Sequence, residues 1–198
     1  MPRKRAENLT TPDLVLLSLL AEVPMHGYQA NAELERRQVR DWAAISRPQV
    51  YYSMDKLARL KLIRPVANSD PAEGPERRVF QTSKRGLSAL ANALERSEWT
   101  NQRDRPPFLT WMALSWQARR GVFVRQINRR MQFLESELAR EKETLASVLE
   151  EVGHAHHEAV WMISLVVEQF EAELHWLRSV KREAAHRAPA RNPEIVSR

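Results

Sequence analysis

Five polar residues recur at helical spacing along one stretch of the chain, and their side chains suit hydrogen bonding to a nucleic acid. They are Gln49, Tyr52, Ser53, Lys56 and Arg59. The opposite side of this predicted helix, residues 46 to 61, is apolar, with Val50, Met54, Leu57 and Ala58. Gln, Lys and Arg address base edges in the major groove of DNA, whereas Tyr and Ser suit phosphate oxygens. The pattern predicts a recognition helix, and a simply solvated face is the alternative interpretation.

The start of this helix is marked by the run Ser46-Arg47-Pro48-Gln49. Serine is a favourable N-cap, proline fits the first turn, and a glutamine three residues after the cap completes a capping box. Gln49 therefore has a second candidate role, because its side chain could bend back onto its own helix. Tyr51 lies at the margin between the apolar and the polar side.

The elements around this helix must position it. A leucine-rich helix is predicted over residues 11–22 and a second helix over about 28–38. After the third helix the pattern becomes extended over 64–67 and 77–81, with turn-forming residues between these two segments. Thr82 then caps a further helix that runs to about residue 95. Three helices, a hairpin and a helix are the order of a winged helix-turn-helix domain.

Basic residues flank the predicted hairpin. Arg64, Arg77 and Arg78 would lie on the wing, where cations can meet a phosphate backbone or a minor groove, and Lys84 begins the next helix. The net charge of the chain is +6, and residues 1–96 hold most of the excess, with 16 Lys and Arg against 11 Asp and Glu. A basic half joined to a nearly neutral half is typical of a polyanion-binding module attached to an assembly module.

The second half of the chain is predicted to be helical. Residues 97–107 are polar and end in two prolines, which indicates a linker. Beyond it, apolar residues alternate at spacings of three and four in two long segments, from Ile127 to Val152 and from Val160 to Leu177. Two such helices joined by a short turn form an antiparallel hairpin whose apolar edge favours pairing with a second copy. The domains are therefore predicted as 1–96 (DNA binding), 108–188 (dimerisation) and 189–198 (flexible tail).

Several function classes are disfavoured. The chain has no cysteine, which excludes disulfides and thiolate chemistry, and it has only five glycines among 198 residues for phosphate-binding loops or nucleophile turns. No catalytic residues, metal or cofactor are therefore assigned, and the protein is not expected to be an enzyme. No apolar run is long enough to span a membrane, so the cytoplasm is the expected location.

Two further clusters have alternative interpretations. His154, His156 and His157 beside Glu158 could hold a metal, but a helix-connecting turn with exposed or capping histidines is favoured because no second group of ligands follows. Four tryptophans could stack an aromatic effector, although core and dimer packing is favoured. They are Trp99, Trp111, Trp116 and Trp161.

The sequence resembles the PadR family of bacterial transcription regulators over roughly residues 9 to 95. The resemblance rests on the leucine-rich first helix and on four short motifs: His26-Gly27-Tyr28, Gln49-Val50-Tyr51, Arg77-Arg78, and Thr82-Ser83-Lys84-Arg85-Gly86. The helical half resembles the larger C-terminal dimerisation domain of one branch. In such proteins the counterparts of Tyr28, Tyr51 and Lys84 tend to face DNA. Lys61 departs from the family, which often has glycine there, and Phe80 stands where tyrosine is common.

The predicted fold is thus mainly α with a small β-hairpin wing. The resemblance implies a homodimeric repressor that binds an inverted-repeat operator in double-stranded DNA and responds to a small molecule or another signal. We expect Lys56→Ala or Arg59→Ala to weaken DNA binding without unfolding the protein. A winged-helix module that binds a protein and not DNA is the alternative function.

Overall fold

A computed structural model describes residues 9–66, 78–119 and 121–187. The chain divides into two compact units, Met1–Arg103 and Asp104–Arg198. Arg77, the predicted hairpin tip at 68–75 and the predicted tail at 189–198 lie outside the described residues. No helix within the described ranges is long and apolar enough to cross a lipid bilayer.

The first unit contains five α-helices, two strands and a short 3₁₀ helix (Ser97–Trp99) among its described residues. The α-helices and strands are α1 (Thr11–Glu22), α2 (Gly27–Arg36), α3 (Val39–Trp42), α4 (Arg47–Arg59), β1 (Ile63–Pro65), β2 (Phe80–Thr82) and α5 (Lys84–Leu94). Helix α1 lies at the centre, because it packs against α4, α5 and β2 and buries all five of its leucines. The predicted mainly helical fold with a small hairpin is confirmed. The single turn of α3 was not predicted.

The two strands pair in antiparallel register, with Ile63 opposite Thr82 and Pro65 opposite Phe80. The sequence did not predict a third partner. Met25 exchanges two backbone hydrogen bonds with Phe80, at 3.1 and 2.9 Å, on the side of β2 away from β1. The hairpin is therefore tied to the segment between α1 and α2.

Helix α4 ends without the glycine that normally terminates such a helix. Lys61 adopts the left-handed conformation itself, with φ of +58°. The Leu62 amide donates to the Leu57 carbonyl and the Lys61 amide donates to the Ala58 carbonyl, both at 2.9 Å, which is the Schellman pattern. A lysine thus occupies a backbone conformation that is costly for any residue with a Cβ.

The second unit is built on two long antiparallel helices, α7 (Val122–Val152) and α8 (Glu158–Glu183), preceded by α6 (Pro107–Leu114). Ile127, Leu134, Leu174 and Leu177 form the buried seam between them. Arg130 on α7 donates two hydrogen bonds of 2.8 Å to the carboxylate of Glu173 on α8, which fixes the register of the pair.

Candidate nucleic-acid interface

Helix α4 has a buried side and an open side. Val50 and Leu57 are completely buried against α1 and α2, whereas Tyr52 keeps 65% of its surface exposed. The other exposed residues of the helix are Arg47, Pro48, Gln49, Tyr51, Asp55 and Arg59. The structure therefore brings most of the predicted DNA-binding residues of α4 onto one solvent-facing surface, which we call the outer face.

Gln49 is engaged in capping its own helix. Its side-chain oxygen accepts a hydrogen bond of 2.7 Å from the backbone amide of Ser46, and the Ser46 side chain receives the reciprocal bond from the Gln49 backbone. The amide nitrogen of Gln49 can still donate. In this conformation the Gln49 amide nitrogen can address a hydrogen-bond acceptor, whereas bidentate pairing with adenine would use the same oxygen that already accepts from Ser46.

Ser53 and Lys56 differ from the sequence prediction that they share the outward polar side. Ser53 is buried, and Lys56 reaches inward so that its Nζ lies 2.5 Å from Oδ2 of Asp13 on α1. The carboxylate of Asp13 is itself completely buried. The predicted outward placement of Ser53 and Lys56 is therefore wrong, because α1 covers the flank of α4 on which these two side chains lie, and their contact with DNA stays an untested prediction.

Asp13 joins α1 to α4. It closes the capping box of α1 by accepting hydrogen bonds of 2.8 and 2.9 Å from the amide and hydroxyl of Thr10, and it also accepts one from Lys56. Burial, the largest single influence, acts to raise the pKa of Asp13, but the hydrogen bonds from Lys56, Thr10 and Ser53 together hold it below its usual value. Lys56 thus neutralises a charge that the protein has buried.

Tyr28 and Tyr51 lie beside the start of α2. Tyr28 is 72% exposed. The ring of Tyr51 covers Gly27 so closely that a Cβ added there would lie 2.6 Å from its Cε1. His26 caps α2 by accepting a hydrogen bond of 3.2 Å from the Gln29 amide. The His26-Gly27-Tyr28 motif therefore starts α2 and supports a tyrosine at the margin of the outer face.

Arg40 contacts the segment that leads into α4, a role that no sequence pattern predicted. It donates hydrogen bonds to the backbone carbonyl of Ile45 at 3.0 Å and to the side chain of Asn31 at 3.1 Å, and it also pairs with Glu35. Glu35 lies 3.8 Å from Arg47 at the start of α4. These contacts link α2 and α3 to the segment that leads into α4.

Other predicted phosphate contacts lie on the hairpin and on α5. Arg64 and Arg78 are exposed on the two hairpin segments, and Lys84 is exposed in the first turn of α5. That turn is capped by Ser83, whose hydroxyl accepts a hydrogen bond of 3.0 Å from the Gly86 amide. Arg77 lies outside the described residues.

Of the four predicted effector tryptophans, Trp111, Trp116 and Trp161 belong to the second unit, and there Trp111 and Trp161 lie far apart within one chain. Trp111 is stacked between Phe108 and Phe123 in a cluster that also contains Leu177, whereas Trp161 lies roughly 25 Å earlier along α8. Trp116 is exposed, and Trp99 of the first unit donates a hydrogen bond of 2.7 Å to the Ala93 carbonyl.

Two of the clustered histidines have local hydrogen-bonding roles. Nδ1 of His157 caps α8 by accepting from the Ala159 amide at 3.1 Å, and Nδ1 of His154 accepts from the His156 amide at 3.2 Å. Over residues 9–66, 78–119 and 121–187, no group of three His, Asp or Glu residues is arranged to hold a metal ion.

In sequence, the chain matches no protein-family model and no curated protein. In structure, it is similar to Bacillus subtilis PadR in complex with operator DNA, with a TM-score of 0.72 at 13% identity over 89% of this chain and 98% of that one. Bacillus subtilis PadR in complex with p-coumaric acid gives a TM-score of 0.71 at 13% identity over 87% of this chain and 98% of that one. The PadR-like transcriptional regulator from Bacillus cereus gives 0.61 at 16% identity over 91% and 99%. The chain has the fold of the PadR regulators, which confirms at the level of fold the resemblance drawn from its motifs.

Proposed function

We propose that the chain is a transcription regulator that binds double-stranded DNA through the outer face of α4. The observation that carries this proposal is the division of α4 into a fully buried apolar side and an open side rich in hydrogen-bonding groups. The fold is one in which a structural neighbour, PadR of Bacillus subtilis, is seen with operator DNA. Gln49 and Arg59 are proposed to reach base edges, and Tyr52 is proposed to reach a phosphate oxygen.

Cations around α4 are proposed to hold the phosphate backbone. Basic and phenolic side chains provide the sequence-independent part of binding and orient the protein on the duplex. The proposed contacts are Tyr28, Arg47, Tyr51, Arg64, Arg78 and Lys84, and Arg77 is added on the sequence alone. Ser53 and Lys56 are left out because they face α1.

We also propose that the protein acts as a homodimeric repressor in the cytoplasm. Helix α8 exposes Trp161 (56%), Leu165 (58%) and Trp176 (45%) at spacings that place them along one side of the helix. A second copy that covers this stripe would remove large apolar groups from water. Two recognition helices related by a twofold axis would then read an inverted repeat with half-sites about 34 to 36 Å apart.

A small molecule is the proposed regulating signal. In this chain the aromatic cluster of Phe108, Trp111 and Phe123 lies beside Arg187, whose guanidinium carbon is 4.1 Å from the centre of the Phe123 ring. A small aromatic acid is proposed to contact the partly exposed sides of Phe108 and Trp111, with Arg187 as the cation for its carboxylate. Roles for Trp99, Trp116 and Trp161 in effector binding rest on the sequence alone.

The test is a binding titration of the full-length chain against duplex DNA recovered from a random library, at salt concentrations from about 50 to 200 mM. Several phosphate contacts should make the logarithm of the affinity fall steeply and linearly with the logarithm of the salt concentration. Arg59→Ala should weaken binding, whereas Arg129→Ala, which removes an exposed arginine of α7, serves as the matched control. If no duplex is enriched, or if the affinity is independent of salt, the proposal is wrong and the protein-interaction alternative is favoured.

A further inference from the structure

An acidic residue lies in the middle of the outer face of α4. Asp55 follows Tyr52 by three residues and precedes Arg59 by four, so the three side chains are neighbours on the helix surface. Asp55 is exposed. Among the residues that the structure describes, its carboxylate has no hydrogen bond or ion pair, even with Arg59 one turn away. The fold therefore makes no evident use of this charge.

A carboxylate on a surface that approaches DNA is unfavourable in most positions. It is repelled by phosphates, and it cannot donate to the acceptors that guanine and thymine present in the major groove. Adenine presents an amino donor beside the acceptor N7, which also repels a carboxylate. Cytosine presents its N4 amino group without an adjacent acceptor on the same base, and this makes it the base edge that best matches Asp55.

We propose that Asp55 is a specificity-determining residue that accepts a hydrogen bond from the N4 amino group of a cytosine in each operator half-site. This inference rests on the proposed DNA-binding function and deepens it. On the outer face, the Gln49 amide nitrogen and the Arg59 guanidinium only donate, and the tyrosine hydroxyls can donate or accept. Asp55 adds a group that only accepts. The outer face therefore carries both hydrogen-bond donors and a hydrogen-bond acceptor.

The experiment is parallel binding-site selection from a random duplex library with the full-length wild type, Asp55→Asn and Asp55→Ala. The wild type should require cytosine at one position of each half-site, by about 5- to 150-fold over other bases. Asp55→Asn should move the preference at that position to adenine, because an amide can both accept from N6 and donate to N7. Asp55→Ala should lose the preference there and keep it elsewhere.

Glu143→Gln provides the matched control, since it removes an exposed carboxylate from α7. It should leave the selected sequence unchanged. All variants should retain the wild-type circular dichroism spectrum and melting temperature, because both carboxylates are exposed. Identical selected sequences for the wild type and both Asp55 variants would overturn the assignment.

Uniformly tighter binding of Asp55→Ala with an unchanged base preference would also overturn it, because it would show that the carboxylate only repels DNA. If the wild type selected no sequence, the proposed function itself would fail, and the role of Asp55 with it. Selection of DNA without dependence on residue 55 would refute the inference alone.

Discussion

Replacing Lys56 by methionine tests the placement of this side chain against α1. Methionine keeps much of the aliphatic stem but removes the ammonium group that lies 2.5 Å from the buried Asp13. Removing one partner of a buried ion pair lowers the free energy of unfolding by about 3 to 5 kcal/mol. Because the Lys56 side chain is 22% exposed, the expected loss here is about 2 to 4 kcal/mol. Arg59→Ala, on the exposed side of the same helix, should change the free energy of unfolding by less than about 0.5 kcal/mol.

Hydrogen exchange in the full-length chain measures this loss where it occurs. If α1 and α4 open locally, their backbone amides should exchange about 30- to 700-fold faster in Lys56→Met than in the wild type, with α7 and α8 unaffected. Urea unfolding followed by circular dichroism gives the corresponding change in the first unit. Normal protection of α1 together with weakened DNA binding would refute the reasoning and restore Lys56 as a DNA contact.

The effect should depend on pH with a defined sign. The folded-state pKa of Asp13 is lowered, so the ionised carboxylate contributes stability above its unfolded pKa of about 3.8 and loses it as the pH falls through the lower folded value. In Lys56→Met, burial acts with one fewer opposing hydrogen bond, and the pKa of Asp13 should be higher than in the wild type. The stability deficit of the variant should therefore be largest near pH 7 and shrink as the pH approaches 4.

Three other substitutions test separate features. Lys61→Gly should raise the free energy of unfolding by about 0.5 to 1 kcal/mol in thermal or urea unfolding, because it relieves the left-handed conformation at residue 61; a loss of stability would contradict this account. Gln49→Glu should keep the side-chain acceptor for the Ser46 amide and therefore the free energy of unfolding. Its affinity for DNA should fall in a fluorescence-anisotropy titration, and an unchanged affinity would exclude the Gln49 amide from the interface. Leu165→Lys should shift the protein from dimer to monomer in light scattering. Ser147→Lys, on the exposed surface of α7, is the control. A wild type that is already monomeric would refute the dimer proposal.

The sequence predicted those features that depend on local signals. The start of α4 follows from Ser46, Pro48 and Gln49, which specify an N-cap, a first turn and a capping box within four residues. The separation of Val50 from Tyr52 onto opposite sides follows from helical periodicity alone. Most of the division of α4 into an open and a buried side could therefore be assigned without a structure, with Ser53 and Lys56 as the exceptions.

Features that depend on distant partners were missed. Helical periodicity places Ser53 and Lys56 on the flank of α4, but it does not say that α1 covers that flank, since Asp13 is 43 residues away in the chain. The backbone bridge between Met25 and Phe80 joins two segments whose pairing no sequence pattern predicts. Trp161 and Trp111 are separated because Trp161 lies near the start of α8, whereas Trp111 on α6 packs with Phe123 and Leu177 at the other end of the helix pair, which their residue types alone do not reveal.

The pairing of Phe80 with both Pro65 and Met25 bears on how the protein avoids self-association through its small sheet. Strand β2 has neighbours on both sides at Phe80, so that position offers no open backbone edge to another chain. The remaining edge in the described part of the sheet belongs to β1, where Pro65 lacks an amide hydrogen and Arg64 brings a positive charge. A foreign strand would therefore find neither a complete row of donors nor an uncharged surface, and the hairpin is protected against the edge-to-edge growth that leads to aggregation.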